Sequence, residues 1–272
     1  MNEQKAPAGI EWTRIRNPDG TFRRGFTWNV FTGCLHDCEW DIAGERAECY
    51  AKTLAGRWNG RGYPNGFAAT YYHPERLDLP KKYSEGAGIF PDSQSDLFGQ
   101  WILKDWRLQF EGVLQTMRDT PQHIYQTLTK NTTGYRQVDG LPKNLWLGIS
   151  SPPDHFVGTN LSDKGKRNYL HSAFETLGQK AADGYVTWMS FEPLSQNWAE
   201  FVEANPGALK WAVIGAASNG STLYPPEEGH VRALIEVLDA QGVAVFFKGN
   251  MRSLPWARDH WRDDFPAFEV VA

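Results

Sequence analysis

The feature that most restricts the fold of this chain is a series of short apolar runs, each of which turns polar at its carboxyl end. The runs are mostly continuous rather than alternating, and Gly, Pro, Asn or Ser bound them. Continuous runs of this kind predict strands that are buried on both faces of a parallel sheet. The predicted strands are 26–33, 88–93, 123–130, 144–151, 185–193, 211–218 and 243–250.

Helical patterns alternate with these runs. Residues 101–119 repeat apolar side chains at close to the 3.6-residue period of a helix, and 46–58, 167–183 and 230–242 are also expected to be helical. Strands that alternate with helices predict βα units. The fold class is therefore α/β, either a partial or full (β/α) barrel or a doubly wound sheet. No linker interrupts the pattern, so we expect a single domain over 1–272.

Polar residues follow the predicted strands at their carboxyl ends, which is where α/β folds bind ligands. The ends of parallel strands meet at one edge of a sheet, so we expect these side chains to form one site. They are Cys34, Ser95, Asp96, Lys130, Ser150, Glu192, Ser218 and Lys248.

All three cysteines lie in one short stretch, at positions 34, 38 and 49. The chain has neither the pattern of a signal peptide nor an apolar run near the ~18 residues of a membrane span. We therefore expect a cytoplasmic, reducing location without a membrane partner, where clustered cysteines more often bind metal or react than form disulfides. Three thiolates suit a soft metal or an iron–sulfur cluster, and they leave one coordination position open.

Two other interpretations of the cysteines stay open at this level. His36 lies between Cys34 and Cys38, and a Cys3His set is a common structural zinc site. The chain would then be a zinc-stabilised nucleic-acid-binding module without catalysis. Alternatively the cysteines are ordinary buried side chains, and Glu192 and Lys130 carry out acid–base catalysis without a metal.

The charge of the chain does not indicate a nucleic-acid-binding surface over the whole protein. The net charge is −4, so there is no global basic field. A local group of Arg14, Arg16, Arg23 and Arg24 is either a solvated hairpin or a strip that binds phosphate. The 12 Trp and the 14% of aromatic residues predict core and pocket walls, with some rings free to stack on a planar ligand.

The string TGCLHDCEW…CYAK resembles the signature of radical S-adenosylmethionine (SAM) enzymes, C-x3-C-x2-C with an aromatic residue near the third cysteine. The first gap matches, and DIAGERAE, residues 41–48, is an insertion after Trp40 in the second gap. Further blocks narrow the resemblance to a phage-type, radical-SAM-like family with a three-cysteine motif. The blocks are IEWT (10–13), TWNVFTGC (27–34), CYAK (49–52), SDLF (95–98), YQTLTK (125–130), LWLGIS (145–150), SFEPL (190–194), WAVIGAASNG (211–220) and FFK (246–248).

This resemblance implies a partial or full (β/α) barrel of the radical SAM type with parallel strands, preceded by an N-terminal strand or hairpin over 1–25. It implies that Cys34, Cys38 and Cys49 hold a [4Fe–4S] cluster and that SAM binds the open iron. The implied chemistry is cleavage of SAM to a 5′-deoxyadenosyl radical, with electrons from an external one-electron donor. The phage context further suggests isomerisation or rearrangement of a modified thymine base in DNA, in the host cytoplasm, with the arginine group holding the DNA.

The strand-end residues then have two expected sets of roles. Lys130 is expected to bind the carboxylate of SAM, and Ser95 and Asp96 its ammonium group. Ser150 is expected to bind a ribose hydroxyl of SAM. Glu192 is expected to bind SAM or an amine of the substrate, and Lys248 an anionic group of the substrate. These two residues are the expected catalytic pair.

Overall fold

The computed structural model describes residues 1–5, 9–42, 44–57, 62–219 and 222–268. Its central feature is an eight-stranded sheet in which the spatial order of the strands follows their order in the chain. The first strand is antiparallel to the second, and every later neighbour is parallel, which confirms the predicted α/β class. The strands are β1 (Asn2–Gln4), β2 (Gly25–Trp28), β3 (Gly88–Pro91), β4 (Ile124–Thr129), β5 (Leu145–Ser150), β6 (Thr187–Phe191), β7 (Trp211–Ile214) and β8 (Ala244–Phe247).

Helices occupy most of the connections between the parallel strands. They are α1 (Tyr50–Arg57), α2 (Gln100–Asp105), α3 (Arg107–Asp119), α4 (Asp163–Ala182), α5 (Ala199–Glu203), α6 (Glu228–Ala240) and α7 (Pro255–Asp259). The single helix predicted over 101–119 is broken at Trp106, whose φ of −125° and ψ of 31° leave the helical region. The start of the helix predicted over 46–58 is instead part of a short strand, Glu45–Glu48. No helix in the described ranges is long and apolar enough to cross a membrane.

The sheet is curled into a partial barrel. In a flat sheet neighbouring strands lie about 4.8 Å apart, so β3 and β7 would be separated by about 19 Å. The indole of Trp12 bridges them, because its ring centroid lies 4.8 Å from that of Phe90 on β3 and 6.1 Å from that of Trp211 on β7. A concave sheet is needed to bring both rings within reach of one side chain. Among the described strands β1 and β8 are the two edges, so the barrel is open.

Alternate residues of each strand point to opposite faces of the sheet, and the two faces have different neighbours. The outward face, which includes Leu147 on β5, shares one core with the helices. The inward face carries Trp146, Trp188 and Trp211, which fill the lumen. Gly148 leaves room for this layer, because a Cβ there would lie 2.2 Å from Cε2 of Trp188. The lower part of the barrel is therefore packed with aromatic rings.

The segment that follows β1 enters the concave face. A 3-10 turn, Glu11–Thr13, carries the buried Trp12 into the lumen. There the Gln126 side chain of β4 donates to the Trp12 carbonyl at 2.8 Å. Beyond the turn, Arg16 pairs with Phe22 before the chain enters β2. The described part of residues 1–25 thus contains a strand, a 3-10 turn whose Trp12 side chain fills part of the lumen, and a hairpin.

Three smaller sheets follow the carboxyl ends of β2, β5 and β7. One of them is four-stranded and contains the inserted residues 41–48 of the cysteine motif. The strands of the three sheets are Phe31–Thr32 with Tyr71–Tyr72, then Glu39–Ile42 and Glu45–Glu48 with His155–Phe156 and Thr159–Asn160, and finally Ala217–Asn219 with Thr222–Tyr224.

Candidate active site

A cavity of about 470 Å³ opens at the carboxyl ends of the barrel strands. Trp12, from the aromatic layer, forms part of its floor, and the inward-facing residues nearest the strand ends form its walls. Ser190 and Glu192 lie two and four residues beyond Trp188, so the alternation of side chains brings them to the same face, nearer the carboxyl end. Ser150 occupies the equivalent inward row of β5. A cavity of this size is typical of a small-molecule site.

Cys49 lines this cavity, and a β-hairpin explains its spacing from Cys38. The two strands of the hairpin over 39–48 pair with Glu39 opposite Glu48. The next pair outward is therefore Cys38 and Cys49, and the Cys49 amide donates to the Cys38 carbonyl at 3.1 Å. The residues that separate the two cysteines fold back on themselves, so Cys49 returns to Cys38.

Burial makes two of the thiols weaker acids. It raises the pKa of the Cys34 thiol well above its usual value, and the charges of Asp96, Cys38 and Cys49 act in the same direction. Burial also raises the pKa of Cys38 to about 12, against the opposing charge of Lys130. At neutral pH the free protein keeps Cys34 and Cys38 as neutral thiols.

The three thiols have the chemistry of the ligands of an iron–sulfur cluster. In the part of the chain that the structure describes, no group of three or more His, Cys, Asp or Glu side chains is arranged to hold one metal ion. His36, the fourth ligand of the zinc interpretation, has its Nε2 2.7 Å from Oδ2 of Asp96. In a four-iron cluster each thiolate binds its own iron, so the ligands surround a group larger than one ion. Of the three cysteines, Cys38 and Cys49 are neighbours in the hairpin, and Cys49 lines the cavity.

The structure places most of the expected site residues in the cavity wall. These are Cys49, Lys130, Ser150, Glu192 and Lys248. Ser95 and Asp96 are elsewhere: Ser95 Oγ donates to the Gly33 carbonyl at 2.6 Å, and Asp96 is buried against the cysteine loop. Neither residue lines the cavity, and their polar atoms make hydrogen bonds within the protein.

Lys130 lies between the cavity and the cysteine loop. Its Nζ donates to the Ser151 carbonyl at 3.3 Å and lies 5.3 Å from the ring centroid of Trp40. Its charge also lowers the pKa of Cys38, which otherwise rises through burial. A cation in this position is open to the cavity and close to the thiols, as the carboxylate of a bound ligand would require.

Two carboxylates and one lysine meet at the carboxyl end of β8. Lys248 Nζ donates to Glu192 Oε1, and the next residue, Gly249, donates its amide to Glu11 Oε2 at 2.5 Å. A Cβ at position 249 would lie 2.2 Å from Glu11 Oε1, so a larger residue there would displace the Glu11 carboxylate. Glu11, Glu192 and Lys248 all line the cavity. The three side chains together leave one excess negative charge for a ligand to balance.

Sequence reasoning missed several residues of the cavity. Glu11 and Trp12 lie in the N-terminal segment, and no pattern in the sequence indicates that this segment enters the lumen. Trp40 and Ile42 lie on the inserted hairpin and face the cavity. Their alternation along one strand is a signal that would have placed both on one face.

Two hairpins border the mouth of the cavity and are joined to each other. Trp40 and Ala47 of the inserted hairpin line the cavity, as do Ala217 and Ser218 of the hairpin after β7. The Tyr224 hydroxyl of the second hairpin donates to Glu45 Oε2 of the first at 3.0 Å. We call this hydrogen bond the clasp.

The arginine group that was expected to hold DNA makes contacts within the protein. The contact between residues farthest apart in the chain joins Arg16 to Asp263 at 3.1 Å. The contacts engage the guanidinium groups and favour the hairpin interpretation of this segment over the phosphate strip. They are Arg24 with Glu3, Arg16 with Asp263, Arg23 with the Gln122 carbonyl, and Arg14 with the ring of Phe22.

Comparison with known proteins gives one family match and two distant structural likenesses. A family model described as "Protein of unknown function (DUF5131)" matches residues 8–258. A search of curated proteins gives no match. Among solved structures the chain is similar to the HMG-CoA lyase from Brucella melitensis, with 13% sequence identity and a TM-score of 0.37; the alignment covers 64% of this chain and 66% of the lyase, just under two thirds of its length. It is also similar to a radical SAM methyltransferase from Sphaerobacter thermophilus, with 10% identity, a TM-score of 0.45, and coverage of 85% of this chain and 71% of that one. Likenesses with TM-scores this low carry no argument about activity.

Proposed function

The match over residues 8–258 makes this chain a member of the DUF5131 family, and we propose that the protein is a radical SAM enzyme whose [4Fe–4S] cluster is held by Cys34, Cys38 and Cys49. The observation that carries the proposal is the hairpin over 39–48. It sets Cys49 beside Cys38 through the 3.1 Å backbone hydrogen bond. The ten residues between the two cysteines therefore do not keep them apart. The hairpin thus brings Cys38 next to Cys49, which lines the cavity.

The chain's own residues bind and orient the reactants. When bound, the cluster and SAM supply reductive cleavage of SAM and the 5′-deoxyadenosyl radical that abstracts hydrogen. Lys130 binds the SAM carboxylate, because its Nζ borders both the cavity and Cys38. Ser150 donates to a ribose hydroxyl from the inward row of β5. These contacts fix the position of SAM relative to the thiols.

Glu192 and Lys248 form the part of the proposed site that meets the substrate. Both line the cavity, and Lys248 Nζ donates to Glu192 Oε1. Lys248 binds an anionic group of the substrate, and the carboxylate of Glu192 accepts a hydrogen bond from a donor such as an amine. The pair also holds a proton that Nζ can give and Oε1 can take up, as acid–base chemistry requires.

The inserted hairpin excludes water from the reacting atoms. Trp40, Ile42 and Ala47 present an apolar face to the cavity. Ala47 is 7% exposed, whereas Trp40 and Ile42 are half-buried. An apolar cover over the site limits the access of water to a reactive radical.

For the substrate we propose a modified thymine base of phage DNA, which the enzyme isomerises or rearranges with electrons from an external one-electron donor in the host cytoplasm. Trp12, Trp40 and Phe90 line the cavity and offer faces on which a planar base can stack. A base has to leave the duplex to enter such a site. Incubation with DNA that carries the base should give a product of unchanged mass and altered retention time. Formation of 5′-deoxyadenosine without such a product would reject the substrate and leave the proposed chemistry intact.

Anaerobic purification and reconstitution test the cluster directly. We expect a brown protein with absorbance near ~400 nm and about four irons and four sulfides per chain. The Cys49→Ala variant should lose this cluster, whereas Ser218→Ala, on the cavity rim, should keep it. With SAM and a strong reductant the loaded protein should form 5′-deoxyadenosine.

Three results would count against the proposal. Normal cluster content in Cys49→Ala would reject the ligand set. Colourless protein with one zinc per chain after anaerobic reconstitution would support the zinc-stabilised module instead. A fully loaded protein that forms no 5′-deoxyadenosine would reject radical SAM activity.

A further inference from the structure

Asp96 is a buried carboxylate with an unusually complete set of hydrogen-bond donors. It is 4% exposed. Its Oδ2 lies 2.7 Å from His36 Nε2 and accepts from the Thr129 hydroxyl and the Lys130 amide, both at 2.9 Å. Its Oδ1 accepts from the Phe98 amide at 3.0 Å. A carboxylate held by this many donors keeps one fixed orientation.

The groups that meet on Asp96 come from the two sides of the proposed site. His36 lies on the loop between Cys34 and Cys38, whereas Thr129 and Lys130 lie at the carboxyl end of β4. One carboxylate oxygen therefore ties the cysteine loop to the strand end whose Lys130 side chain lines the cavity. The loop has no equivalent support from the sheet, since β2 ends before it.

The ring of His36 is held on its other sides as well. It stacks on Phe156 with a centroid distance of 4.9 Å and meets the edge of Trp101 at 4.8 Å. The His36 carbonyl accepts from the Val157 amide at 2.7 Å. These contacts make the ring a rigid link, so that movement of Asp96 is passed to the cysteine loop.

The residues just before Asp96 bind the same loop. Gln94 accepts from the Gly33 amide at 3.1 Å, and Ser95 donates to the Gly33 carbonyl at 2.6 Å. The Tyr50 hydroxyl, next to Cys49, donates to the Ser93 carbonyl at 2.5 Å. The segment 93–96 therefore contacts the chain on both sides of the proposed cluster, and Asp96 is its only charged member.

We infer that Asp96 is a positioning residue, which holds the Cys34–Cys38 loop in the geometry that an iron–sulfur cluster requires. The inference rests on the proposed function, because it concerns the cluster that the three cysteines hold. It adds a residue outside the ligand set, and it replaces the SAM-ammonium role that the sequence suggested for Asp96.

The test compares three variants of the full chain after anaerobic reconstitution. Asp96→Asn removes the charge and turns one acceptor into a donor. His36→Phe keeps an aromatic ring against Phe156 but removes the nitrogen that meets Asp96. Thr129→Val is the matched control, because it also removes a donor from Oδ2 but lies on a strand that the sheet already fixes. Iron and sulfide content and the EPR spectrum of the reduced cluster are measured, with circular dichroism of the unloaded protein as the check on folding.

We expect altered EPR spectra in Asp96→Asn and His36→Phe and a wild-type spectrum in Thr129→Val. A wild-type spectrum in His36→Phe overturns the positioning role, and it decides the question even where Asp96→Asn fails to fold. A folded wild-type chain that takes up no cluster overturns the proposed function, and the inference falls with it.

Discussion

Replacing Asp92 with asparagine should change how the stability of the protein depends on pH. Asp92 follows β3 and is 2% exposed. Its Oδ1 accepts from the Phe31 amide at 2.9 Å, while its buried Oδ2 has no hydrogen-bond partner among the described residues. Burial raises the pKa of this carboxyl to about 8. Asparagine has the same shape, accepts the same bond and tolerates the positive φ of 53° at this position.

The sign and size of the effect follow from proton binding. Between the unfolded pKa of 3.8 and the folded value of about 8, the folded protein holds a proton on Asp92 that the unfolded chain has lost. Stability from this group is complete below pH 3.8 and is lost as the pH rises toward 8. The loss is about 1.4 kcal/mol per pH unit for one proton. Relative to wild type, Asp92→Asn should therefore gain about 2.7 kcal/mol between pH 5 and pH 7.

Urea unfolding of the metal-free, reduced protein at pH 5, 6 and 7 measures the gap, which is the difference in free energy of unfolding between variant and wild type. The titrations of all other groups are common to both proteins and cancel in this difference. The control is Asp119→Asn. Hydrogen bonds from Gln115 and Lys81 lower the pKa of the exposed Asp119, so it is ionised in both states throughout this range and its gap to wild type should stay constant. A constant gap for Asp92→Asn as well would refute the argument that Asp92 is neutral in the folded protein.

Three further substitutions test contacts around the cavity. Gly249→Ala puts a Cβ 2.2 Å from Glu11 Oε1 and should lower the free energy of unfolding, measured in urea, by about 1–3 kcal/mol. The loss should be smaller in a Glu11→Ala background, and equal losses in both backgrounds would contradict the contact. Glu192→Gln leaves Lys248 without its anion and should lower the free energy of unfolding by about 1–3 kcal/mol. Adding Lys248→Met to this variant should restore most of that stability, whereas additive losses in the double-mutant cycle would mean that the pair is not coupled. Tyr224→Phe removes the clasp at an exposed position, so the thermal midpoint of unfolding should move by less than about 2 °C. Limited proteolysis of residues 39–48 should become faster, and an unchanged rate would show that the clasp does not hold this hairpin in place.

The strands could be predicted because burial on both faces leaves a continuous apolar run. The run 144–151 contains β5, and 243–250 contains β8. Curvature could not be predicted, because it depends on Trp12 reaching two distant strands from a segment with no strand or helix pattern of its own. The break at Trp106 was also invisible, since the apolar period continues across it.

The candidate site was predicted in part for a similar reason. Polar residues at strand ends pointed to Lys130, Glu192 and Lys248, and the structure places them in one cavity. The same rule pointed to Ser95 and Asp96, which lie outside this cavity wall, because position at a strand end does not tell whether a side chain faces a cavity or a neighbouring loop. That difference depends on the path of the cysteine loop, which tertiary contacts decide.

The pairing of residues 39–48 also changes what the spacing between Cys38 and Cys49 means. Adding or deleting one residue on each strand of the hairpin leaves the two cysteines opposite each other, whereas a change of one residue shifts the register and turns one side chain to the other face. The length of the second gap is thus free to vary in steps of two without moving the thiols. A search pattern that counts residues would separate chains whose ligand geometry is the same, and one that requires an antiparallel pair between the cysteines would keep them together.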